Sequence, residues 1–103
     1  MRYLLCGPIS GMEDYNEPAF AEAAERLRRV GMFVLNPLEI SRDRSLPWGY
    51  YMALSTEAIL YGDVDGLILL PGWLDSLGAR IEYGIAKEMG LTCTEYAVIR
   101  ENI

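Results

Sequence analysis

The stretch VDGLILLPG, residues 64–72, is the most hydrophobic run in the chain and closes on a proline–glycine pair. Its aliphatic residues follow one another without alternation, so they do not suit a sheet with one wet face. They read as a strand buried on both sides, which places it at the centre of a parallel sheet with helices above and below.

The rest of the chain is punctuated to suit. Residues 2–6, RYLLC, end at Gly7-Pro8, and residues 32–37, MFVLNP, end at a proline; both read as strands. LTCTEYAVI, residues 91–99, reads as the last strand. A first helix is expected over 16–30, with Asn16 as N-cap and Pro18 in the first turn. It puts Phe20, Ala23, Ala24, Leu27 and Val30 on one face, with glutamates early and arginines late. A second runs over about 47–61, and a third, capped by Ser76 or Asp75, to about Met89. Strands alternating with helices predict an α/β fold, a small Rossmann- or flavodoxin-like three-layer sandwich with a mostly parallel sheet of about four strands. The length of 103 residues suits one domain over 1–103. In such sheets ligands sit beyond the carboxyl ends of the strands, where loops 7–16, 36–47 and 71–76 converge.

Composition narrows the chemistry. Fifteen acids against nine bases give a net charge of −6, which repels a phosphate polymer and speaks against a nucleic-acid partner. No run is long and apolar enough for a membrane span, and the opening run is too short for a signal peptide, so a cytoplasmic location is expected. The two cysteines, Cys6 and Cys93, are far apart and do not outline a disulfide framework or a zinc site. Without histidine, acid–base or nucleophilic work falls to Asp, Glu, Tyr, Ser or Cys.

Several stretches stand out. Gly7-Pro8-Ile9-Ser10-Gly11 follows the first strand and either brings backbone N–H groups to a ligand or forms only a tight turn. In Ser76-Leu77-Gly78-Ala79-Arg80-Ile81-Glu82, Ser76 is a natural cap. Gly78 costs up to ~1 kcal/mol relative to alanine, which implies a close approach, and it leaves open space above Glu82 one turn on. The plain alternative is a surface glutamate. Asp65 precedes the central strand and Glu57 lies two helical turns before it; the plain reading is a solvated face and a strand-edge acid. Trp48, Tyr50, Tyr51 and Trp73 suit either stacking on a nucleobase or core packing.

Taken together, GPISG, YNEPAF, VLNP, WGYYM and LLPGWLDSLGARIE resemble the nucleoside 2-deoxyribosyltransferase superfamily, above all its short phage and bacterial members of unknown function. The resemblance covers nearly the whole chain and is most specific in the last block. It implies an enzyme that cleaves or transfers the N-glycosidic bond of a (deoxy)nucleoside or (deoxy)nucleotide, without metal or cofactor. It makes Glu82 the nucleophile, forming a glycosyl-enzyme ester that water or a second base discharges. It makes Glu57, usually Asp in relatives, an acid near the leaving base, and Ser76 a ligand contact. The remaining substrate-binding positions are Gly7, Pro8, Ile9, Ser10, Gly11, Asn36, Trp48, Asp65 and Gly78. Leu4 stands where relatives carry an aromatic. Ser10 stands where the hydrolases carry an arginine; a hydroxyl holds phosphate less well than a charged fork, and Arg42, Arg44 and Arg80 are the candidates to replace it. Relatives also complete their sites across subunits. A homo-oligomer is therefore expected, joined through the aromatic second helix and the tail around Glu95 and Tyr96. The rival reading is a non-catalytic binder or sensor of a nucleotide or ADP-ribose-like ligand, and a third is a structural protein.

Overall fold

The computed structural model describes residues 1–40 and 44–103. Strands β1 (Arg2–Cys6), β2 (Phe33–Leu35), β3 (Gly66–Leu69) and β4 (Thr92–Glu95) form one sheet in the order β2-β1-β3-β4. Every neighbouring pair is parallel, with Leu5 opposite Ile68 and Leu67 opposite Cys93. β3 is buried at each of its positions, as its unbroken apolar sequence requires.

Successive side chains on a strand face opposite ways, and the core divides accordingly. On one face Leu5, Val34 and Ile68 meet Phe20, Ala23, Ala24 and Leu27 of α1 (Glu17–Arg29) and Tyr96 of α5 (Tyr96–Arg100). On the other, Leu4, Cys6, Leu67 and Leu69 meet Ile59 of α3 (Trp48–Leu60) and Ala79 and Ala86 of α4 (Leu77–Glu88). The result is the three-layer α/β sandwich. A short α2 (Pro37–Ile40) follows β2 and is tied to the end of α1, because Arg28 donates to both carboxylate oxygens of Glu39 at 2.9 and 2.8 Å.

Three local expectations are corrected. α1 ends at Arg29, so Val30 lies past the helix and is exposed, and Gly31 turns the chain at φ +91°. Asn16 holds the N-cap position of α1 as expected, but at φ 61° its side chain makes no capping bond: its Nδ2 donates to the Pro8 carbonyl at 3.0 Å, bracing the loop after β1. The last strand stops at Glu95, opposite Leu69, where β3 also ends and no further backbone partner exists. The chain then coils into α5 and drops Tyr96 into the core at 2% exposure, its hydroxyl 3.4 Å from both Glu22 oxygens. Tyr96 is therefore a core residue of the single chain.

Candidate active site

The chain runs from β1 outward to β2 and returns to the other side of β1 as β3, so the crossovers part at the carboxyl ends of β1 and β3. A crevice is expected at such a switch point. A cavity of about 250 Å³ lies there. Its floor is Cys6 and the loop 7–10. One wall is Trp48, Tyr51, Met52 and Ser55, a single stripe of α3 at helical spacing. The other wall is the first turns of α4.

Glu82 lies within that second wall. Ala79, Glu82 and Ala86 share the stripe of α4 that faces the sheet, so this glutamate is 7% exposed rather than a surface residue. None of the ion pairs among the described residues involves it. Instead the Ser55 hydroxyl and the Cys6 thiol lie beside it, and both favour its charged form. Burial pushes its pKa from 4.5 up to about 7, against the opposing pull of those two donors. Burial, reinforced by the adjacent carboxylate, also pushes the Cys6 thiol well up. Cys6 therefore stays protonated and serves as a donor rather than a nucleophile.

Ser76 caps α4, its Oγ accepting from Ala79 N–H at 3.2 Å, and it also lines the cavity. Gly78 has a different purpose from the one expected. A Cβ there would lie 2.9 Å from Met52 Sδ and 3.4 Å from Trp48 Nε1, so the missing side chain admits α3. Those two residues occupy the space that was expected to open above Glu82. Gly7 is likewise a packing glycine, since a Cβ would meet Leu70 Cβ at 3.0 Å.

Of the positions singled out in the sequence, Gly7, Pro8, Ile9 and Ser10 line the cavity from below. Trp48, Ser76, Gly78 and Glu82 line it from the helices. The others stand apart. Gly11, at φ +80°, lies beyond the lining. Asn36 is buried beside it, its Oδ1 accepting from Leu38 N–H at 3.0 Å, and it faces a separate depression with Asp14, Glu17 and Glu39. Glu57 is exposed, and two residues past Ser55 it turns to the opposite side of α3. Asp65 lies at the amino end of β3, the edge away from the cavity, where its carboxylate accepts from Arg2 N–H at 2.8 Å. Arg44 is held by Glu17 at 3.0 Å and by the Leu38 carbonyl at 2.9 Å, and Arg80 is exposed outside the lining. Arg42 lies outside the described residues.

Cys6, Ser55 and Asp75 are cavity residues that no sequence motif brought forward. Strand alternation puts Cys6 on the side of Leu4, and Ser55 lies two turns from Trp48; either spacing holds a usable signal. Among the described residues no three Asp, Glu or Cys gather as a metal site.

Residues 1–95 match the family model described as a domain of unknown function, DUF4406. The chain belongs to the DUF4406 family. No curated protein matches it significantly. The DUF4406 match takes in the whole cavity and all of the sheet, and it ends at Glu95 just before α5.

Proposed function

We propose that this DUF4406 chain cleaves or transfers the N-glycosidic bond of a (deoxy)nucleoside or (deoxy)nucleotide, as a nucleoside 2-deoxyribosyltransferase-like enzyme with Glu82 as nucleophile. The observation that carries the proposal is the carboxylate itself. It is buried at a cavity on the switch point beside two neutral donors, and among the described residues no cation pairs with it.

The chemistry follows from that setting. A desolvated carboxylate favours a neighbouring positive centre more strongly than one in water does. As the C–N bond breaks, its electron pair leaves with the base and positive charge builds on the sugar. Glu82 stabilises that charge and closes on the anomeric carbon as an ester. Water or an incoming base attacks the same carbon, and the carboxylate is regenerated. Trp48 and Tyr51 offer aromatic surface for the base. Glu57 faces away, so the departing base takes its proton from solvent at the cavity mouth, where Ser10 and Leu77 are exposed.

The position of Glu57 also favours a second reading, a binder that holds its ligand intact. Base release from deoxynucleosides and their monophosphates, wild type against Glu82→Gln, decides between them. The enzyme reading expects release by wild type and a loss of roughly 10³-fold or more in the variant. Thermal stabilisation by a ligand recovered unchanged supports the binder.

A further inference from the structure

We propose that Asp75 is a charge filter at the cavity mouth, so that the site takes an N-glycoside carrying no phosphate. This rests on the reading of Glu82 as the centre of N-glycosidic chemistry.

The charged residues lining the cavity are Asp75 and Glu82, both acidic; among the described residues no lysine or arginine lines it. Asp75 closes the single turn of 3-10 helix at Trp73–Asp75 and directly precedes Ser76, the cap of α4. A helix start ordinarily draws anions, through its free N–H groups and its dipole. Here the Ala79 N–H is already taken by Ser76, and Asp75, an exposed acid among the lining residues, directly precedes that cap. Among the described residues, no positive charge on the other walls offsets this acid. The loop after β1 offers the neutral hydroxyl of Ser10. Arg44 stands behind Tyr51, bonded to it and to Glu17, so its charge is already matched. The remaining lining is apolar or aromatic, with Ile9, Trp48, Tyr51 and Met52 presenting surface for a base and a sugar. A phosphate dianion entering there would meet hydrogen-bond donors but no counter-charge.

The test measures kcat/KM for 2′-deoxyadenosine, 2′-deoxyguanosine, 2′-deoxycytidine and thymidine, and for their 5′-monophosphates, with wild type and Asp75→Asn. The same ligands are titrated into Glu82→Gln by calorimetry. Wild type is expected to prefer the nucleoside, and Asp75→Asn to narrow the preference by about threefold to tenfold, as one partly screened charge allows. High salt should narrow the wild-type preference and leave that of Asp75→Asn nearly unchanged. A wild-type preference for monophosphates, or a ratio unmoved by Asp75→Asn, overturns the inference while leaving the glycosidic reading intact. Preferential binding of nucleosides by Glu82→Gln with no turnover by wild type does the reverse. Failure to bind either set overturns both.

Discussion

The thiol of Cys6, the last residue of β1, lies beside the carboxylate of Glu82 on α4. A central strand of the sheet and the helix that covers it thus meet at one buried acid, with the Ser55 hydroxyl of α3 beside it. That thiol also donates to the Leu4 carbonyl at 3.9 Å, a long contact.

Glu82 makes the fold pH-sensitive. Its pKa is 4.5 when unfolded and about 7 when folded. Below the lower value both states keep the proton. Between 4.5 and about 7 the unfolded chain has released it and the folded chain has not, so stability falls as pH rises through that window. The loss levels off above it at about 3 kcal/mol. Glu82→Gln keeps an acceptor for Ser55 and Cys6 and removes the charge. In urea melts the variant should be more stable than wild type above neutrality, and equally stable in acid. Equal stability at every pH would contradict the burial argument.

Ser55 and Cys6 should set the pH profile of base release. Ser55→Ala removes a donor to the ionised form, so the ionisation of Glu82 should move up by about one unit. Activity depends on the carboxylate, so the rising limb of the profile should move with it. Cys6→Ser, which restores a donor, should shift the limb less than Cys6→Ala. A limb that stays in place in all three would show that these donors do not hold the acid.

Two glycines should behave differently. At Gly66 an added Cβ would meet the Thr92 carbonyl oxygen at 2.8 Å and the Tyr3 ring at 3.1 Å, and the sheet backbone cannot give way. Gly66→Ala should cost about 1–3 kcal/mol by overpacking. At Gly78 the obstacle is the thioether of Met52, which can swing aside. Gly78→Ala should therefore be near neutral in stability, with alanine's helix preference offsetting the repacking. It should still weaken ligand binding, because Met52 moves within the cavity wall. Thermal melts and calorimetry on the two variants check the contrast.

The outer side of α3 carries Tyr50 and Leu60, and Tyr61 follows at 79% exposure, with Glu57 as the helix's one charge. A helix apolar on both sides is usually covered on both. Light scattering should show a dimer or larger assembly at micromolar concentration, weakened by Leu60→Glu. A monomer throughout would contradict this.

The sheet was legible because β3 leaves no face for water and the proline and glycine stops bracket each strand. The place of Glu82 was legible from Ser76-x-Gly78-Ala79-x-x-Glu82, but not its burial. The spacing of Ala79 and Ala86 around it marks the core stripe of α4, and that clue is easily passed over beside the capping signal. The inward side of α3 was hidden for a related reason. With apolar residues nearly all round, the helix has no polar side to set its phase, so Glu57 could be aimed at the site in error. The purpose of Gly78 depends on Met52 and Trp48 of another helix, which local sequence does not encode. The run after Glu95 reads as strand from its local sequence, and it coils into a helix where β3 ends.

The most direct measurement is mass spectrometry of the acid-quenched enzyme after incubation with deoxynucleosides, followed by proteolysis. A deoxyribosyl mass on the peptide containing Glu82, absent in Glu82→Gln, is the predicted result. Base released at full rate by Glu82→Gln, or a sugar adduct on any other residue, would contradict the account.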